Sequence, residues 1–110
     1  ILADKIVALA LRRSRVRYRD VWDIQFLAQR NVPVEPSIVY RKVDDRRVER
    51  ALFMTELKTR IAGLQGEFDQ YRFELRRFLP AEQTDDLFRN PAYRDLIQTR
   101  LTEIATNLSR

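Results

Sequence analysis

The 110-residue chain contains no cysteine and no histidine. Without thiols there are no disulfides and no thiolate metal ligands. Without imidazole as well, zinc sites and histidine-based general acid–base catalysis are excluded. Any chemistry must come from carboxylates, Lys, Tyr or Ser. Glycine occurs twice, proline four times, and Met and Trp once each. So few breakers, in a chain rich in Leu, Arg, Ala, Glu and Gln, favour helix over sheet, and the predicted fold class is all-α, a bundle of five or six helices. No window reaches the roughly 18 apolar residues of a membrane span, and no charged, apolar and small-residue leader pattern stands at the front. The expectation is a cytoplasmic location and no membrane partner.

What is present is an ordinary globular balance of 45% hydrophobic and 34% charged residues, enough for one buried core and one domain. Lys and Arg total 21 against 16 Asp and Glu, a formal charge of +5 that suits an anionic partner without requiring one. The chain opens at Ile1 already inside a helical pattern and without an initiator Met, so residues 1–110 are expected to be one helical domain of a longer protein.

In "ILADKIVALALRR" the apolar residues Leu2, Ile6, Leu9 and Leu11 recur at helical spacing, predicting a first helix over about residues 1–12. A short basic connection leads to a second helix over about residues 18–30, which Pro33 and Pro36 terminate. Pro36 suits the first turn of a short third helix, "PSIVYRKV", ending at the "DDRR" charge run. From Met54 through Leu57, Ile61, Leu64, Phe68, Tyr71, Leu75 and Phe78 the apolar positions alternate three and four apart, a heptad seam. Gly63 and Gly66 fall inside it, so it is either one helix or two. "AEQTDDLFRNP" reads as a loop, with or without one helical turn. Pro91 opens a last helix whose inner face carries Tyr93, Leu96, Ile97, Ile104 and Leu108.

The second helix, within "RYRDVWDIQFLAQR", raises the chemical question. At 100° per residue, Asp20, Asp23, Ile24 and Leu27 share one face, and Tyr18, Trp22 and Phe26 form an aromatic stripe on the other, which is read as core. A carboxylate on a helix apolar on both sides needs a cation or hydrogen bonds, because an isolated buried charge is very costly. Arg17 and Arg19 are placed to pair locally with Asp20 and Asp23, and Lys5 can add a third cation if the first two helices pack antiparallel. Such pairs either fix helix docking or border a site. Arg12, Arg13, Arg15, Arg17 and Arg19 put five guanidinium groups into eight residues, either a solvated charge run or a grip for nucleotide or RNA phosphates.

"ILADKIVALALRR" followed by "RYRDVWDIQFLAQR", a Pro-bearing linker and a helical tail with "LRRFLP" resembles the C-terminal half of the AbiEii/AbiGii-type nucleotidyltransferase toxins. That family's pattern is similar to E-I-L-A-x-K-L-x-A-L and, after a basic turn, R-D-x-x-D-[IL]-x-x-L. The resemblance implies a toxin of abortive-infection and toxin–antitoxin systems that transfers NMP from NTP, with Mg2+, to an acceptor such as tRNA. It implies that Lys5 meets the nucleotide, that Asp20 and Asp23 are the catalytic acidic pair at the edge of a cleft, and that the arginines contact phosphate or RNA. It also implies a cognate antitoxin as partner. The family's metal-binding element, a Gly-Ser turn followed by Asp-x-Asp, has no counterpart here, so no metal site and no transfer by this segment alone are expected. Replacing Lys5 or Asp20 by Ala in the full-length protein is then expected to abolish transfer with little change in melting temperature. The competing class is a non-enzymatic helical module, binding RNA through the arginines or an antitoxin through the heptad seam.

Overall fold

The structure, a computed structural model, describes residues 1–13 and 16–110. Among these there are seven α-helices, one 3-10 turn and no strand. In order they are α1 (Leu2–Leu11), α2 (Tyr18–Gln29), α3 (Pro36–Asp45), α4 (Arg50–Gly63), the 3-10 turn (Leu64–Gly66), α5 (Phe68–Leu75), α6 (Ala81–Arg89) and α7 (Pro91–Leu108). The all-α class is as expected, with one helix more than the count read from the sequence.

The α1 helix buries residues on two sides, Leu2, Ile6 and Leu9 together with Val7 and Ala10, because it is wedged between α2, α3 and α4. Its polar remainder, Asp4 and Lys5, reaches out to ion pairs: Lys42 of α3 lies 2.8 Å from Asp4, and Lys5 faces α2. The α2 helix stops where Asn31 adopts a left-handed backbone (φ 62°). The Val32 amide then bonds the Leu27 carbonyl and the Asn31 amide bonds that of Ala28, closing the helix before the prolines. Asn tolerates that conformation better than most residues.

The heptad seam resolves into two helices. After Gly63 the chain tightens into the 3-10 turn and re-forms as α5, yet Leu57, Ile61, Leu64, Phe68, Tyr71 and Leu75 all remain buried. The ends of the seam differ from expectation: Met54 is half-buried and Phe78 is 54% exposed, since α5 has already ended at Leu75. The segment read as a loop is α6, nine residues long, burying Thr84 and Phe88 against α5 and α7. Its polar composition and flanking prolines masked a three-to-four spacing running through Thr84, Leu87 and Phe88. The α7 helix starts on a built cap, with the Asn90 side chain accepting from the Ala92 amide at 3.0 Å and Pro91 at the first position. It buries Ile97, Leu101, Ile104, Ala105 and Leu108, whereas Leu96 is 40% exposed.

At the centre lies an edge-to-face aromatic cluster: Tyr71 stands 4.9 Å from Phe88 and 5.5 Å from Tyr18, with Phe68 and Tyr93 completing it. Offset and edge contacts of this kind add roughly 0.5–1.5 kcal/mol each to the area they bury. The predicted aromatic stripe of α2 therefore splits. Tyr18 is core, Trp22 is half-buried and Phe26 is 44% exposed, because α2 is covered by α1, α5 and α7 on part of its circumference only.

Candidate functional site

The two aspartates of α2 meet cations from α1. Lys5 Nζ lies 3.0 Å from Asp23 Oδ2 and 3.4 Å from Asp20 Oδ1, and Arg12 Nη2 donates to Asp20 Oδ2 at 3.0 Å. Lys5 near one end of α1 faces Asp23, while Arg12 just past its other end faces Asp20, so the two helices run antiparallel. The local pairs expected from Arg17 to Asp20 and from Arg19 to Asp23 are not formed. A helical arginine three or four residues away is out-competed by partners that tertiary packing brings in from the facing helix.

The carboxylates differ in depth. The Asp20 side chain is 4% exposed and both its oxygens are engaged; that of Asp23 is 29% exposed, as is that of Lys5 at 31%. Asp20 sits in the first turn of α2, where the positive end of the helix dipole favours its charge. Lys5 is held above the ordinary lysine value, first by its hydrogen bond to Asp23, against partial burial, with the charges of Asp23 and Asp20 adding. It is therefore a fixed cation at neutral pH and not a base or nucleophile. An ammonium group has three N–H donors, and the partners of Lys5 are these two carboxylates.

A residue that sequence reasoning missed braces this corner. Arg60 of α4 donates to the Leu9 carbonyl at 2.8 Å and, over a short contact, to the Arg12 carbonyl. It thereby satisfies carbonyls at the end of α1 that have no helical partner and fixes the backbone from which Arg12 reaches Asp20. Nothing local in the sequence points to this, since the partners lie 48 and 51 residues away.

The five arginines of the basic run separate. Arg12 is committed to Asp20 and Arg13 is exposed at the end of α1. Arg15 lies outside the described residues. Arg17 and Arg19 line a hollow of about 390 Å³ together with Glu74, Arg77 and Phe78, and Arg19 stacks on the Phe78 ring with its Cζ 4.5 Å from the centroid. A hollow of about 870 Å³ lies between the start of α2 and the α4–α5 elbow and includes none of Lys5, Asp20 and Asp23. Beside it the Tyr18 hydroxyl donates to Glu67 at 2.8 Å.

The family model "Nucleotidyl transferase AbiEii toxin, Type IV TA system" matches residues 1–107. The chain belongs to the AbiEii toxin family. No curated protein and no solved structure matches it. The family places the chain among nucleotidyltransferase toxins of type IV toxin–antitoxin systems, which have an antitoxin as counterpart. Among the described residues no helix is long and apolar enough to cross a membrane.

The site does not suit the magnesium ions that such toxins imply. Asp20 has no free oxygen, Asp23 shares its charge with Lys5, and the described residues contain no group of three or more carboxylates able to enclose a metal. Lys5 and Arg12 against Asp20 and Asp23 give a cluster of zero formal charge, in which a dication would meet two cations already in place. What the arrangement does offer is an immobilised ammonium group at the rim of α1 and α2.

Proposed function

We propose that this chain is the helical part of an AbiEii-type nucleotidyltransferase in which Lys5 contacts the phosphates of an NTP, Asp23 orients Lys5 at the surface, and Asp20 with Arg12 fixes both from beneath. The observation that supports this most is the gradation in depth across one cluster: a buried, doubly engaged carboxylate under a lysine whose side chain is 31% exposed. Phosphoryl transfer depends on positioning and on cations aimed at developing charge, and a lysine whose rotamers are fixed by two carboxylates meets that need. The Mg2+ ions that accompany the triphosphate are assigned to acidic residues outside this chain, so NMP transfer to an acceptor such as tRNA belongs to the full-length protein.

The experiment is incubation of the complete reading frame with each α-labelled NTP and total RNA, followed by gel analysis of label in RNA. Label in RNA that disappears with Lys5→Gln supports the reading. RNA bound without any label transferred, under conditions where the complete protein is folded, favours the non-enzymatic RNA-binding module instead.

A further inference from the structure

The end of the molecule beside Lys5 is apolar and open to solvent. There the start of α1, the linker between α2 and α3 and the first turn of α3 enclose a hollow of about 290 Å³. Leu2 and Ala3 stand on one side of it, Val32, Pro33, Val34 and Ile38 on the other. Nine residues line it and Glu35 is the one with a charged side chain, in a protein of which 34% is charged. Val32 is 38% and Ile38 39% exposed, whereas Leu2 and Val39 behind them are buried. The wall is stiff, because α2 ends on the left-handed Asn31 and Pro33 and Pro36 fix φ on either side of Val34 and Glu35. The two residues of α1 that follow Ala3 carry ion pairs to either flank, Asp4 to Lys42 of α3 and Lys5 to Asp23 of α2. An apolar centre within a charged rim is the anatomy of a protein interface.

We propose that this hollow seats an apolar segment of the magnesium-binding part of the same polypeptide, packed against Val32 and Ile38, and that this contact holds its acidic residues opposite Lys5. The choice of partner rests on the function proposed above. If Lys5 meets the triphosphate, the carboxylates that hold its Mg2+ must come within the length of that triphosphate. The hollow lies one helical turn from Lys5, whose amide bonds the Ile1 carbonyl at 3.1 Å. Size argues the same way. A stable complex of separate chains takes about 20–30 residues on each side. The hollow offers nine, too few to hold a second copy of this chain or a free protein. A partner joined through the peptide chain needs far less, because tethering gives it an effective concentration on the order of millimolar. A nucleic acid finds no cationic side chain in the lining.

The test is hydrogen–deuterium exchange, read by mass spectrometry, on the complete reading frame and on the 110-residue chain. Peptides covering residues 1–7 and 31–39 are expected to exchange about tenfold more slowly in the complete protein, with α6 unchanged because it packs on α5 and α7. Val32→Asp with Ile38→Asp is expected to abolish that slowing and to lower kcat/KM for transfer by about tenfold or more. The 110-residue chain carrying both changes should keep its Tm within about 4 °C, since both side chains are exposed. Ile38→Ser, a milder change, should give an intermediate loss of slowing. Equal exchange at residues 31–39 in the two proteins, or slowing retained in the double Asp variant, would overturn the proposal. So would slowing that rises with protein concentration while sedimentation gives twice the mass, which would put a second copy there. If the double Asp variant loses the slowing while Lys5→Gln keeps full transfer, the docking surface stands and the nucleotide role of Lys5 falls. Transfer lost in Lys5→Gln with no slowing at the hollow does the reverse.

Discussion

Replacing Asp20 by Asn keeps the shape of the side chain and removes its charge, leaving Lys5 and Arg12 facing a neutral amide. Breaking a fully buried ion pair by removing one partner costs about 3–5 kcal/mol. Here the carboxylate is 4% exposed but both cations are 31% exposed, so water recovers part of that loss and about 2–3 kcal/mol is the fitting figure. Unfolding entropy of about 2.1 cal/mol/K per residue gives a chain of this length a shift of roughly 4 °C per kcal/mol, so Asp20→Asn should lower Tm by roughly 10 °C. Asp23→Asn, at 29% exposure and with one partner, should cost only about 0.5–1 kcal/mol, or some 2–4 °C. Circular dichroism melts at 222 nm and pH 7 measure both. An Asp20→Asn variant melting within about 2 °C of the wild type, or a larger loss from Asp23→Asn, would refute the assignment of Asp20 as the buried support and Asp23 as the surface group. The burial also revises the expectation that Asp20 can be removed at little cost in stability.

Removing the brace with Arg60→Met leaves the Leu9 and Arg12 carbonyls without their donor and should cost about 2 kcal/mol, read as a drop in the urea midpoint at constant m-value. Gly63 has ordinary helical backbone (φ −73°) and open space where a Cβ would stand, so Gly63→Ala should raise Tm by roughly 2–4 °C, from about 0.5–1 kcal/mol; a lower Tm would show that the α4–α5 elbow needs the glycine. Burial pushes the Tyr93 hydroxyl up to about 12 and that of Tyr71 well above 10. These folded-state values lie above the unfolded one, so the stability they contribute is complete below about pH 10 and lost as pH climbs toward 12. The raised value of Lys5 acts in the same direction. The urea midpoint should fall between pH 9 and 11, and fall less in Tyr93→Phe; equal falls would remove Tyr93 from the explanation.

Helices whose apolar spacing repeats strongly were legible from residues alone: α1, α2, α3, the seam of α4 and α5, and α7 all appear with bounds within a few residues. The α6 helix was not, because a short helix needs only Thr84, Leu87 and Phe88 to dock while Asp, Gln and Thr around them resemble loop composition. Lys5, Asp20 and Asp23 were legible as a constellation, since carboxylates on a helix apolar on both sides demand cations. Lys5 was named from the sequence as a partner conditional on antiparallel packing, but Arg12 in place of Arg17 and Arg19, and the Arg60 brace beneath it, were not, because they act across helix contacts that no local spacing encodes. The same limit hid the exposure of Phe26 and Phe78, which continue apolar patterns in the sequence yet lie at the surface.

The measurement that bears most directly on the role of Lys5 is kcat/KM for NMP transfer by the complete reading frame with Lys5→Gln, taken together with its melting temperature. Glutamine retains a donor on a side chain one atom shorter and removes the charge. If Lys5 is the cation that meets the triphosphate, transfer should fall by about 10²–10³ while Tm drops by no more than about 4 °C. Transfer at the wild-type rate in a folded Lys5→Gln protein would contradict it and leave the cluster as a joint between α1 and α2.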